Sequence, residues 1–220
     1  MEIFRSARQA GGVVTSPWKG AIVKYLNHLD DVAQSLQACN AVYFDDKGKP
    51  CGSSTDWIGI ERPLQATETQ ASVAGPGNTA LEVGTSGAAR AAVYGLAFRF
   101  DIKPVYVVNR DDKEVAQSIK DCSQIGCSPL HVKLLEQEQS LAPPSRILGM
   151  VPDFEPKRRE KKAATANLDY CLTAAEKKDM MQEMCYHPSP QTRTFKLAAR
   201  RGWRAIRGSQ VAGHQVEGIE

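Results

Sequence analysis

The sequence predicts an α/β protein in two parts: a small mixed α/β unit over residues 1–62 and, beyond a linker at 63–78, a parallel sheet flanked by helices over 79–220. Three observations carry this reading. From Ala80 onward strand and helix signals alternate, which calls for a parallel sheet with helices on both faces. The stretch Arg62 to Asn78 lacks an aliphatic pattern and holds Thr67, Thr69, Ser72, Gly75, Pro76 and Gly77, a linker composition with at most a helical start. Between the first strand of the second part and its helix lies a glycine-rich turn, Val83-Gly84-Thr85-Ser86-Gly87-Ala88-Ala89-Arg90.

Taken in chain order, Val13-Val14 is short and extended, and Pro17 suits the first turn of a helix running through Ala21, Ile22 and Val23 to Tyr25 and Leu26. A second helix is expected from Asp31 to Gln37. Val42-Tyr43-Phe44, the turn Asp45 to Lys49 and the return Pro50 to Ser53 read as a hairpin. After the linker the expected strands are Ala80 to Val83, Val105 to Val108, Leu130 to Leu134, Ile147 to Val151, Met180 to Cys185 and Trp203 to Ile206. The expected helices are Ala88 to Phe98, Glu114 to Cys122 and Thr192 to Arg200.

Composition excludes several classes. The 220 residues are 42% hydrophobic with no long apolar run, so no membrane span is expected. Met1 to Arg8 has basic residues but no apolar core or cleavage site behind them, and the expected compartment is the cytosol. Six cysteines without a C-x-x-C pair suggest reduced thiols. Cys185 and His187 lack a second ligand pair at a suitable spacing, so no metal is expected. A net charge of +3 is too small to indicate nucleic acid. The basic runs Lys157 to Lys162 and Arg200 to Arg207 read first as solvated helix faces, with a localisation signal or an anion patch as the other readings.

A glycine-rich turn between a buried strand and a helix lets backbone N–H groups and the positive helix end approach a pyrophosphate. Gly84 and Gly87 can serve so, although Ser86 stands where a full fingerprint has its middle glycine. The next strand ends in Asn109-Arg110-Asp111, where such folds meet the adenosine ribose. An acid accepts ribose hydroxyls and arginine suits a 2′-phosphate, so NAD and NADP both remain open, with Asp111 tilting toward NAD. The alternative for these three residues is a polar strand end. Lys19, with Thr15 shortly before it around Pro17, is by itself a solvated surface lysine or a group that takes the proton of a secondary alcohol as hydride leaves. Asp56 could hold that lysine, and the pair could equally be structural.

Val14-Thr15-Ser16-Pro17-Trp18-Lys19, Ala38-Cys39-Asn40, Ser54-Thr55-Asp56, the glycine-rich turn, Gly149 to Asp153, Glu183 to Thr192 and Gly202-Trp203 stand in one order. In that order they resemble the shikimate and quinate dehydrogenase family, particularly its fungal members, including the matching part of the pentafunctional polypeptide. The resemblance implies a substrate-binding domain, here partial, followed by a Rossmann-like dinucleotide-binding domain. It implies NAD(P)-dependent exchange between the C3 hydroxyl and ketone of shikimate or quinate, with Lys19 and Asp56 as catalytic dyad and Thr15, Asn40, Tyr186 and Gln215 as substrate contacts. Gly84, Thr85, Ser86, Gly87, Ala88, Asn109, Arg110, Asp111, Met184 and Gly208 would meet the coenzyme. The partner expected is a small hydroxylated molecule, with neither membrane nor nucleic acid.

The resemblance also has gaps. Val14 and Ser54 replace asparagines of the family's motifs, Glu82 lies within an otherwise apolar strand, and the family's first strand, paired serines and terminal helix have no counterpart. These gaps lead to the expectation of a chain incomplete at both ends with impaired turnover. They also keep a second class open, a non-catalytic regulator of quinate use that binds the same ligands, as related repressors do.

Overall fold

Two sheets organise the chain, and the line between them runs past the candidate catalytic pair. The computed structural model describes residues 10–66, 78–109, 111–132, 141, 143–151, 153, 168–175 and 177–217. The first sheet comprises β1 (Gly11–Val13), β2 (His28–Leu29), β3 (Ala41–Phe44) and β4 (Pro50–Ser53) in the order β1-β3-β4-β2. β3 and β4 form the expected antiparallel hairpin, with Val42 opposite Gly52. Asp45 closes its turn by accepting the N–H groups of Lys47 and Lys49 at 2.9 and 2.7 Å, and Gly48 supplies a φ of 71° that side chains rarely adopt. Helix α1 (Asp31–Leu36) starts at Asp30, whose Oδ1 accepts the Ala33 N–H at 2.6 Å. The other oxygen of Asp30 accepts from Ser53 Oγ and from Ser54 N, tying the helix start to the end of β4.

The second sheet comprises β5 (Ala80–Val83), β6 (Val105–Val108), β7 (Leu130–His131), β8 (Arg146–Gly149), β9 (Met180–Glu183) and β10 (Arg204–Ile206). All its pairings are parallel and the order is β10-β9-β8-β5-β6-β7. The chain winds outward from β5 to β7, returns to the far side of β5, and winds outward again to β10. This is the 3-2-1-4-5-6 order of dinucleotide-binding folds, and its crevice lies where the winding reverses, at the carboxyl ends of β5 and β8. Around the sheet stand α3 (Gly87–Tyr94), α4 (Asp112–Gln124), α5 (168–174), α6 (Arg193–Arg200) and α7 (Gly208–Glu217). Every residue of β5, β6, β8 and β9 is buried, as expected for strands covered on both faces. One face packs Ala80, Leu148 and Met180 against Ala89, Ala92 and Val93 of α3. The other packs Leu81, Ile147 and Met181 against Leu172 and Trp203, whose indole donates to Leu172 O at 2.8 Å.

Three regions differ from the sequence expectations. Residues 16–22 form consecutive turns followed by one 3₁₀ turn, Val23–Tyr25, in place of a helix from Pro17 to Leu26. The carbonyl of Lys19 accepts the Cys39 N–H at 3.0 Å, which takes it out of any helical ladder. Helix α2 (Asp56–Gln65) occupies ten residues where only a helical start near Arg62 was expected, so residues 63–65 are helical and not linker. It contains Pro63, which cannot donate to the Gly59 carbonyl one turn back. That carbonyl instead accepts the side-chain amide of Gln182 at 2.9 Å, so the helix continues without an orphaned acceptor. Finally, α7 was not among the expected elements. Most of the expected linker, the basic run Lys157 to Lys162 and Arg110 lie outside the described residues.

Candidate active site

The turns after β1 carry Lys19 across the molecule to the first residue of α2. Lys19 Nζ donates to Asp56 Oδ2 at 2.6 Å, with side-chain exposures of 13% and 4%. The second oxygen, Oδ1, accepts from Gln215 Nε2 of α7 at 2.9 Å. A carboxylate held at both oxygens cannot rotate, so the ammonium it pairs with is fixed in place as well. The pair lies at the amino end of α2. Lys19, Asp56 and Gln215 are thus brought together from three separate elements.

Asn40 lies beneath this group. Its Oδ1 accepts the Thr55 N–H at 2.7 Å and its Nδ2 donates to Thr55 Oγ1 at 2.9 Å. The amide, buried to 3% exposure, therefore sets the start of α2 relative to β3. Thr15 is exposed in the turn before Lys19, and its carbonyl accepts the Trp18 N–H at 2.9 Å.

The glycine-rich turn faces the same lysine. Gly84 has φ 117°, a conformation that favours glycine, and a Cβ there would lie 3.3 Å from Met150 Cβ. Ser86 precedes the first helical residue, yet its hydroxyl forms no cap bond, leaving the leading N–H groups of α3, those of Gly87 and Ala88 included, without a side-chain acceptor. A Cβ on Gly87 would stand 3.2 Å from Lys19 Cβ, so the lysine stem passes directly over the turn. An uncapped helix end behind a glycine turn, at the crevice of a sheet with this strand order, fits a dinucleotide phosphate. At the outer end, Asn109 Nδ2 donates to Glu114 Oε2 at 2.9 Å and to Thr85 Oγ1. Asp111 caps α4, its Oδ1 accepting from the N–H groups of Lys113 at 2.9 Å and Glu114 at 3.3 Å.

After β9 the chain turns sharply. Met184 packs against the first core face, and Tyr186 is 39% exposed with its ring 4.9 Å from that of His187. Gly208 opens α7 so close to this segment that a Cβ would lie 2.8 Å from the carbonyl oxygens of Met184 and Cys185. Glu183, which the sequence reading passed over, anchors the turn. Its Oε1 accepts from Cys185 N at 3.0 Å and its Oε2 from Thr192 Oγ1 at 2.9 Å, and burial pushes its carboxyl up to about 7. Glu82 is wholly buried in β5 with neither oxygen hydrogen-bonded, and burial raises its pKa well above the usual carboxylate range.

All six cysteines are free thiols. Among the described residues no group of three His, Cys, Asp or Glu could hold a metal, and no helix is long and apolar enough to cross a membrane. Arg201, in the second basic run, pairs with Asp169, and Arg207 lies over the Phe195 ring.

No family model matches the chain. It is 33% identical over 212 residues to the quinate dehydrogenase of Emericella nidulans, covering 91% of this chain and 64% of that protein's length. It is 27% identical over 220 residues to the shikimate dehydrogenase (NADP(+)) of Maridesulfovibrio salexigens, covering 98% of this chain and 71% of that one. In structure it resembles the quinate dehydrogenase of Corynebacterium glutamicum solved in complex with NAD, with a TM-score of 0.74, 21% identity, and coverage of 96% of this chain and 71% of that one.

Proposed function

We propose that the chain is a member of the shikimate and quinate dehydrogenase family and exchanges hydride between NAD or NADP and the C3 position of shikimate or quinate. The observation that carries the proposal is the constellation of Lys19, Asp56 and Gln215 beside the glycine-rich turn. Oxidation of a secondary alcohol releases two hydrogens in different forms. Lys19 Nζ takes the hydroxyl proton, and in the reverse direction returns it to the ketone oxygen. Asp56 orients the amine and balances the charge that forms on it, and Gln215 prevents the carboxylate from turning away. Thr15, on the same loop as Lys19, and the Tyr186 phenol contribute hydrogen bonds to the substrate hydroxyls. Asn40 positions Thr55 and, through it, the start of α2.

The α3 N-terminus with Gly84, Thr85, Ser86, Gly87 and Ala88 would hold the coenzyme phosphates, Asn109, Arg110 and Asp111 the adenosine side, and Met184 and Gly208 the nicotinamide side. When bound, the coenzyme supplies the hydride acceptor or donor. The lysine stem against Gly87 sets the dyad beside the cradle. We favour NAD, because Asp111 stands at the end of β6, where an acid suits the ribose hydroxyls. A regulatory role with no turnover would need no proton-transfer group, whereas the Lys19–Asp56 pair is assembled and largely buried.

The test is the reduction of NAD and NADP by shikimate and by quinate, followed by absorbance. Turnover should be measurable, and Lys19→Ala should reduce it by ~10²–10⁴-fold. A Lys19→Ala protein with unchanged kcat would remove the dyad from the mechanism.

A further inference from the structure

The turn after β9 is also the seat of α7, and a buried acid fixes it. Glu183 ends β9 and is 1% exposed. Its carboxylate lies against the end of β8, where a Cβ on Gly149 would stand 3.3 and 3.4 Å from the two oxygens. From there Oε1 accepts the Cys185 N–H at 3.0 Å and Oε2 the Thr192 hydroxyl at 2.9 Å, while the Gly149 carbonyl accepts the Met184 N–H at 2.8 Å. Both N–H groups of the turn are thus bonded. Its two carbonyl oxygens meet α7, each 2.8 Å from where a Cβ on Gly208, the first residue of that helix, would stand. Backbone rests on backbone there, with no side chain to take up a shift.

About two turns further along the same helix, Gln215 donates to Asp56 Oδ1 at 2.9 Å. A hydrogen-bonded helix is stiff over that length, so a displacement at its seat reaches the amide. Packing alone gives the acid no purpose. Burial pushes its carboxyl up to about 7, a cost to stability that an apolar side chain in the same space would not carry. What the acid supplies is two fixed acceptors, one on the turn and one on the start of α6.

We propose that Glu183 is a positioning residue for proton transfer: by holding the Met184-Cys185 turn it seats α7, and so sets where Gln215 holds Asp56 and Lys19. The assignment rests on the reading of Lys19, Asp56 and Gln215 given above. Glu183 acts through the helix and does not itself move the proton.

Steady-state kinetics and thermal melts of the full chain test it in Glu183→Met, Glu183→Gln, Gln215→Ala and the double variant of Glu183→Met with Gln215→Ala. Methionine fills the space but accepts neither bond, and kcat should fall by about tenfold or more, since a misplacement of about 1 Å can cost on the order of 10²-fold. Glutamine can accept from Cys185 and donate to Thr192, and should restore most of the wild-type kcat. Beside Gln215→Ala, Glu183→Met should cost nothing further, because residues acting through one another are not additive. A merely structural acid would not give that result. Losses that multiply overturn the assignment, as does a folded Glu183→Met protein with wild-type kcat while Lys19→Ala is impaired. Thr192→Val frees one carboxylate oxygen and serves where Glu183→Met does not fold: no loss of kcat, or a loss that persists in full beside Gln215→Ala, again overturns the assignment. A folded wild type that turns over neither alcohol overturns the underlying reading and the assignment together.

Discussion

Replacing Gly59 by alanine places a methyl group in the contact between α2 and α7. The new Cβ would lie 2.6 Å from Gln215 Cγ, 2.8 Å from Val211 O and 3.0 Å from Val211 Cγ1. Carbon atoms settle near 3.5–4.0 Å, so the Gln215 stem must retreat by about 1 Å. Its amide now donates to Asp56 at 2.9 Å, and a retreat of that size breaks the bond. Two effects on stability oppose one another. Alanine in a helix interior gains about 1 kcal/mol over glycine, whereas overpacking costs about 1–3 kcal/mol. Because one clashing atom is a backbone oxygen that cannot rotate aside, overpacking should win and the melting temperature should fall. The catalytic effect should be larger, since a misplacement of about 1 Å can cost on the order of 10²-fold. Steady-state kcat/KM and a thermal melt measure the two separately, and Gln215→Ala should reproduce the kinetic loss with little change in melting. A Gly59→Ala protein that melts lower but keeps the wild-type kcat/KM would refute the role given to Gln215.

Two further predictions concern buried carboxyls. Glu82 has a folded pKa raised above its unfolded value near 4.5, so the stability it permits is complete below that pH and is lost as pH rises toward the folded value. Glu82→Leu should therefore raise the melting temperature, and more at pH 8 than at pH 5; an equal change at both would show the carboxyl is not the cause. Glu183, raised from 4.5 to about 7, has the same sign, and its shift corresponds to about 3 kcal/mol lost between those pH values. Urea denaturation of Glu183→Gln should show a flatter pH dependence from 5 to 7 than the wild type, and an unchanged slope would count against it.

The second sheet was legible because its central strands announce themselves. Ala80 to Val83, apart from Glu82, and Val105 to Val108 are short, apolar and bounded by turn residues, and the glycine-rich turn between them needs no distant partner to be recognised. Helix α2 was hidden for the opposite reason. Pro63 marks a helix interior as unfavourable, and what offsets it is the amide of Gln182, which bonds the Gly59 carbonyl from 123 residues further along the chain than Gly59. The helix expected after Pro17 failed likewise, through the bond from Cys39 N to the Lys19 carbonyl. At the site, Lys19 and Asp56 could be named from residue chemistry combined with family motifs, but Gln215 came from the motifs alone, since a glutamine in α7 gives no local signal. Glu183 gave none either. Its significance depends on which strand ends it reaches, a property of sheet order and not of neighbouring residues.

The Gln182 bond to Gly59 has a consequence for motion at the site. Helix α2 is fastened to the first sheet at its start, through Asn40 and Thr55, and to the second sheet midway, through Gln182. Both fastenings are buried, so bending or translating α2 would strand polar groups away from water. Helix α2 is therefore pinned at two points, one on each sheet, and the carbonyl freed by a proline supplies the second pin, which holds Asp56 at a fixed place between them.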